Sequence, residues 1–284
     1  MTSTPAWVPR DPRWLQIIIL SALLLWGMAA LHLPVSPLQV AATLGGALIA
    51  QWVGTRAVRL PRFDPKSAII TALGLSILLR TNAPELGALA GFIAIAAKFC
   101  IRVNGKHLFN PGMLGLVAIV WLTGDAWISP GQWGSETVLA FALAGAGFFV
   151  TLRSARSDVT VAFLVTWAAI LFGRALWLGD PWAIPVHQLQ NGALLMFSFF
   201  MISDPKTTPD ARWARILYAA LVAGVAGFIQ FFLWRESGPV WALFLLSPLV
   251  PLLDALIAAP RFSCPGTTPA PAVRPGAAVA PTHS

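Results

Sequence analysis

Three short stretches hold most of the side chains in this sequence that could do chemistry. The first is Asn104-Gly105-Lys106-His107-Leu108-Phe109-Asn110-Pro111-Gly112-Met113. An Asn followed by Pro is a strong helix start: the Asn side chain accepts from free first-turn amides, and Pro lacks the amide that would go unused. The remaining amides and the positive helix end attract an anion, with Lys106 and Arg102 close by. A phosphate-bearing ligand or a substrate carboxylate would suit that place. A plain capped helix, with basic residues placed by membrane topology, accounts for the same residues.

The second stretch is Phe200-Met201-Ile202-Ser203-Asp204-Pro205-Lys206-Thr207-Thr208-Pro209. Its two prolines enforce a non-helical exit, because the residue before a proline is pushed out of the helical region. Asp204 is placed to accept from loose backbone amides, to pair with Lys206, or to gate protons or cations at a membrane edge. The third stretch is His187-Gln188-Leu189-Gln190-Asn191-Gly192, whose polar side chains run into an otherwise apolar helix. Each of them needs a partner there, from a ligand or from an internal hydrogen-bond network. A related cue, Phe63-Asp64-Pro65-Lys66-Ser67, opens another apolar run.

The elements that must position these residues are membrane helices. Of 284 residues 57% are hydrophobic and 11% charged, with mean hydropathy +0.74; soluble domains carry about a quarter charged residues. The formal net charge of +8 does not indicate nucleic-acid binding, since the cations fall in short clusters between apolar runs rather than along one face. Two cysteines, Cys100 and Cys264, support neither a disulfide framework nor a Cys-based metal site. No Gly-rich nucleotide loop, zinc motif or bis-His haem spacing is present, so no metal site and no catalytic residue is assigned. The N-terminal apolar run lacks a small-residue cleavage site and reads as a first span rather than a signal peptide.

Ten spans are expected, at 14–32, 37–55, 67–80, 84–101, 111–124, 137–153, 159–177, 186–202, 213–233 and 239–257. Several are shorter than the ~20 residues of a full crossing, as broken helices facing protein would be. With residues 1–13 cytoplasmic, 16 of the 19 Lys and Arg residues fall on the inside, leaving Arg80, Arg174 and Arg235 outside. That asymmetry places both termini in the cytoplasm. The tail, 260–284, is Pro- and Ala-rich without periodicity and reads as disordered. Trp14, Trp121, Trp127, Trp133, Trp182 and Trp213 near span ends fit interfacial belts. A weak repeat relates 14–124 to 137–257, with Phe109-Asn110-Pro111-Gly112 before the fifth span and Ser237-Gly238-Pro239 before the tenth. Five spans per half make the halves antiparallel, an arrangement that forms a central site at the bilayer midplane.

Taken together, the stretches resemble the RnfD/NqrB family, membrane subunits of the Rnf and Na⁺-translocating NADH:quinone reductase complexes. The family's Phe-Asn-Pro element is matched by Phe109-Asn110-Pro111, and its Thr-Asp-Pro-Val-Thr element by Ser203-Asp204-Pro205-Lys206-Thr207. Its polar Ser-Gly-Ala-Thr helix start is matched by Gln190-Asn191-Gly192-Ala193, and its closing Val-Pro-Leu-Ile-Asp by Val250-Pro251-Leu252-Leu253-Asp254. The matches are in order over roughly residues 60–260. No one of them is specific; the ordered set carries the resemblance.

The resemblance implies an all-α, ten-helix inverted repeat, a shape shared with urea-transporter-like channels, and a place in flavin-based electron transfer. Family members that carry covalent FMN attach it to a Thr in a long outer loop between the fifth and sixth helices. Here the loop, Asp125 to Glu136, is short and contains no Thr, so covalent FMN is not expected and the sequence looks closer to the compact, UnbU-like branch. The resemblance further implies a bacterial inner-membrane subunit, without catalytic activity alone, that works with other membrane or redox subunits. A non-covalent flavin (FMN or riboflavin) or a quinone would sit between the halves. Phe109, Asn110 and Pro111 would form one wall, and Ser203, Asp204, Thr207 and Thr208 the other. Lys106 and Lys206 would hold a phosphate, and Asn191 and Gly192 would join the site. The same pore could instead make the chain a channel or transporter for a small polar solute, or a scaffold subunit whose ligand sites have decayed.

Overall fold

The computed structural model describes residues 11–30, 32–129, 157–257 and 259–260. The expected span 137–153, part of the 125–136 loop and nearly all of the tail lie outside the described residues. Helix starts follow local chemistry. In α2 (Pro37–Ala57), Ser36 Oγ accepts from the Gln39 amide at 3.0 Å, with Pro37 in the first turn. In α5 (Pro111–Thr123), Asn110 Oδ1 accepts from the Met113 amide at 3.1 Å, and Gly124 closes the helix in the left-handed region at φ 69°. The expected spans 1, 4, 7 and 9 appear as α1 (Pro12–Ala30), α4 (Pro84–Cys100), α6 (Ser157–Leu178) and α9 (Arg212–Phe231).

Three expected spans are interrupted, two of them with a plain local cause. The third is α3 (Lys66–Leu78), which gives way to strand β1 (Leu79–Thr81). The eighth divides at Gln190-Asn191 into α7 (Ala183–Leu189) and α8 (Gly192–Met196), because Asn191 turns its side chain to cap the second piece, accepting from Ala193 and Leu194. Helix α8 runs on as a π-helical turn, Phe197–Met201, a form found mostly as single-turn bulges, frequently at functional sites. The tenth bends by 52° between α10 (Gly238–Leu246) and α11 (Leu249–Leu256), where Pro248 cannot continue the ladder.

Two short ribbons complete the fold. Strands β2 (Arg102–Val103) and β3 (Lys106–His107) make a hairpin whose turn holds Asn104 and Gly105 at positive φ. Strand β4 (Ala126–Ile128) pairs antiparallel with β1, Arg80 facing Trp127. Helices α3 and α5 have 13 residues each, about 20 Å of rise, and the β1–β4 ribbon extends both ends. Its paired backbone satisfies the groups that a non-helical segment would otherwise leave bare in apolar surroundings.

Helix α2 packs along α4 and α4 along α5; in the second half α6 packs along α9 and α9 along α10. Glycines make the contacts close. A Cβ at Gly46 would overlap the Ala88 carbonyl oxygen, one at Gly115 would lie 2.5 Å from the Ala90 oxygen, and one at Gly238 would lie 2.5 Å from the Ala226 oxygen. Such small-residue seams are how helices associate where no hydrophobic drive operates between them. The core centres on Phe163, Phe197, Met113, Leu116 and Tyr218, while Leu25, Trp121, Leu176, Trp177 and Trp213 face outward. Among the described residues, three helices are long and apolar enough to cross a membrane (Arg13–Ala30, Ser157–Leu178 and Arg212–Phe231), with α10–α11 a fourth if the bent pair is one span.

Candidate functional site

The Phe-Asn-Pro and Asp-Pro elements, 94 residues apart between Asn110 and Asp204, meet at one end of the molecule. Asn110 does two jobs. Its Oδ1 caps α5, and its Nδ2 donates to the Met201 carbonyl at 3.2 Å and reaches Asp204 Oδ2 at 3.5 Å. The Met201 carbonyl ends the π-helical turn. Asp204 Oδ1 accepts from the Lys206 backbone amide at 2.9 Å, as Asp64 Oδ1 accepts from the Lys66 amide at 3.2 Å. The two Asp-Pro-Lys triplets thus make the same turn. Thr207 and Thr208 hydroxyls both donate to the Asp204 carbonyl, and Ser203 Oγ to Phe199 O. Phe109 stacks on Phe244 with centroids 5.2 Å apart. Asn110, Pro111, Ser203, Thr207 and Thr208 are buried.

Lys106 lies between carboxylates. Its Nζ is 2.8 Å from Asp210 and 2.7 Å from Asp254, and it donates to the Thr208 carbonyl at 2.9 Å. Asp254 Oδ1 accepts from the Asp210 amide, and Arg215 joins Asp210 O to Asp158 Oδ2. The hairpin of the first half is thereby fastened to the loop before α9 and to α11 of the second. Sequence reasoning named Lys106 but missed Asp158, Asp210 and Arg215; the unexplained charges at the ends of apolar runs were the available signal. Lys206 is exposed, and Arg102 donates to Gly105 O. A second charged cluster joins Asp11, Arg13, Asp64 and Lys66. Burial would raise the Asp11 carboxyl, but hydrogen bonds from Arg13 and Lys66 hold it well below the ordinary carboxylate range. Next to it Lys98 donates to Gln51 and Ser67 at 3.0 Å each.

A cavity of about 230 Å³ opens beside the fastening, walled by Lys106, His107, Asp210, Pro251 and Asp254. His107 is 8% exposed. Burial, then the charges of Lys98, Lys206 and Arg102, push its pKa down to about 4, so the ring is neutral near pH 7.

Asn191 and Gly192 sit apart from these residues. Asn191 lines a larger cavity, about 380 Å³, with Gln188, Gln230, Trp167, Phe197 and Trp234 on its wall. Leu78 and Ile128 from the first half close it. Two polar residues of the eighth span, Gln188 and Asn191, therefore face a cavity bounded by both halves. The ribbon behind that wall carries Arg80, which the charge count puts at the outer end of the third span and which is 2% exposed. Among the described residues, no cluster of three or more His, Cys, Asp or Glu is placed to hold a metal.

Apolar helices, broken spans and a cavity shared between two packed halves define an integral membrane protein with a ligand-sized cavity. The chain belongs to the NQR2, RnfD, RnfE family, whose model matches residues 121–263. It is 27% identical to the D subunit of the ion-translocating oxidoreductase complex of Alcanivorax borkumensis over 248 residues, 66% of this chain and 72% of that one. The corresponding protein of Cronobacter sakazakii is 31% identical over 154 residues (53% of this chain, 42% of the relative), and that of Tolumonas auensis 32% over 112 residues (39% and 32%).

Proposed function

We propose that the chain is a bacterial inner-membrane subunit that supports transmembrane electron transport within a multi-subunit complex. The family match over residues 121–263 carries this reading, because it takes in most of the larger cavity's wall, and the similar proteins are D subunits of ion-translocating oxidoreductase complexes. In this reading ten helices form two inverted five-helix repeats with both termini cytoplasmic. The recurrence of α2–α4–α5 packing in α6–α9–α10, with a glycine on a carbonyl in each, supports the repeat.

The larger cavity fits a flat conjugated cofactor held without a covalent bond, either a flavin (FMN or riboflavin) or a quinone. Trp167, Phe197 and Trp234 offer ring faces, and Gln188, Asn191 and Gln230 offer amide groups for ring carbonyls. Such a cofactor would supply the electron-accepting chemistry, and the chain's own rings and amides would orient it. Asn191 belongs to this pocket, with Gly192 next to it in the chain and not on the wall. Lys106, Phe109, Asn110, Pro111, Ser203, Asp204, Thr207 and Thr208 lie at or next to the contact that holds the halves together, and Lys206 is exposed beside it.

Ultraviolet–visible and fluorescence spectra of the detergent-purified protein, before and after acid precipitation, test the reading. Flavin released to the supernatant, or quinone in a solvent extract, is the expected result. Flavin retained in the pellet would overturn non-covalent attachment. A protein with neither would overturn the cofactor reading and favour a channel for a small polar solute, to which the amides of Gln188, Asn191 and Gln230 also suit the cavity. Solute uptake into proteoliposomes without an electron donor checks that alternative.

A further inference from the structure

Residues 56–63, which join α2 to α3, are exposed without a break and carry three arginines, Arg56, Arg59 and Arg62, at every third position. Arg59 turns the chain at φ 53°. Among the described residues, no carboxylate meets any of the three guanidinium groups. Asp64, two residues beyond Arg62, is held instead by Arg13 at 2.8 Å, and Asp11 is held by Arg13 and Lys66. The sequence outside the described residues brings one acid, Glu136, against three cations. The chain therefore does not neutralise this turn from its own acids. Two ordinary causes account for part of it. Arg56, in the last turn of α2, suits the negative helix end, and basic residues gather at span ends.

Neither cause explains the apolar side chains set between the arginines. Val58, Leu60 and Phe63 are each about half exposed. The Arg56 guanidinium lies 5.6 Å over the ring of Trp52, itself exposed, a cation–π contact that sets the charge against the apolar side of α2. That side runs on through Val53 and Ile49, also exposed. Cations alternating with apolar side chains, at the end of an apolar helix face, match the boundary between lipid headgroups and acyl chains. A water-borne polyanion would meet the arginines and leave the apolar groups unused. We infer that this turn is a binding site for an anionic phospholipid. The arginines hold its phosphate and charged headgroup, Leu60 and Phe63 enter the acyl boundary, and an acyl chain lies along Ile49 and Trp52 of α2. The site does not depend on the electron-transport reading.

The test is thermal unfolding of the full-length protein in detergent, titrated with short-chain phosphatidylglycerol, short-chain phosphatidylcholine or inorganic phosphate. Wild type is compared with the triple variant Arg56→Gln/Arg59→Gln/Arg62→Gln, the matching triple lysine variant and Leu60→Ser/Phe63→Ser. Phosphatidylglycerol is expected to raise the melting temperature of wild type well above the effect of phosphatidylcholine or phosphate. Its apparent affinity should fall about fivefold for each arginine lost, the worth of one basic residue at an anionic surface. The lysine variant keeps the charge and should keep most of the affinity, while Leu60→Ser/Phe63→Ser should weaken the lipid as well. The side chains are exposed, so all variants should melt like wild type without lipid; Arg56→Gln and Arg62→Gln singly carry the test if the triple variant does not fold. Equal effects of the two lipids, or a phosphatidylglycerol effect unchanged by loss of the arginines, would overturn the site. Phosphate acting as strongly as phosphatidylglycerol would leave a bare anion site and overturn the lipid. Affinity untouched by Leu60→Ser/Phe63→Ser would overturn the seating of the apolar side chains. No lipid effect, with an acidic protein lost when the triple glutamine variant is isolated from its own membranes, would give the turn to a protein partner and overturn the lipid site.

Discussion

At Lys106 one ammonium answers two carboxylates, Asp210 and Asp254, on elements remote from it in sequence. Removing it leaves two acids side by side in a largely buried place. Lys106→Ala is therefore expected to destabilise the protein by about 3–5 kcal/mol, seen as a lower melting temperature in detergent, and adding Asp254→Asn should restore part of the loss. The neighbouring His107 gives a pH signature. Its folded pKa of about 4 lies below the ordinary 6.5, so from pH 6.5 down to 4 the unfolded chain binds a proton that the folded chain refuses. Stability should hold above pH 7 and fall by up to about 3 kcal/mol across that window. His107→Asn should flatten the profile, and unchanged profiles for the two proteins would refute the assignment.

Among the elements, Gly46 shows what the helix seams require. A side chain there meets the backbone of Ala88, which cannot swing aside. Gly46→Val should separate α2 from α4 and lower the melting temperature by more than Gly45→Val, whose added carbon meets nothing within 4 Å. Capping and periodicity made most helix ends legible in the sequence: Ser36-Pro37 and Asn110-Pro111 start helices as their chemistry dictates. The ribbons were not legible, because segments of two or three residues carry no period. Nor was the division of the eighth span, where Asn191 reads equally as a polar residue within a helix and as a cap between two. In the site, the meeting of Asn110 with Met201 and Asp204 was foreshadowed by ordered motifs. The acids around Lys106 and the burial of Arg80 depend on tertiary placement, which charge counting along the chain does not carry.

For the whole molecule, the inverted repeat and cytoplasmic termini make an accessibility prediction. In a background with Cys100→Ser and Cys264→Ser, cysteines at Arg62 and Glu236, both exposed, should react with a membrane-impermeant thiol reagent from opposite sides. Arg62 should be reached from the inside and Glu236 from the outside, and labelling from the same side would refute the ten-span topology. The fastening at Lys106 and Asn110 and the β1–β4 ribbon hold α5 at both of its ends. Any cycle of rearrangement must then draw its degrees of freedom from elsewhere. The break at Gln190-Asn191 and the 52° bend at Ser247-Pro248 are the natural hinges, and Asn191 at the first of them also lines the larger cavity. Filling that cavity would bear directly on the first of these hinges.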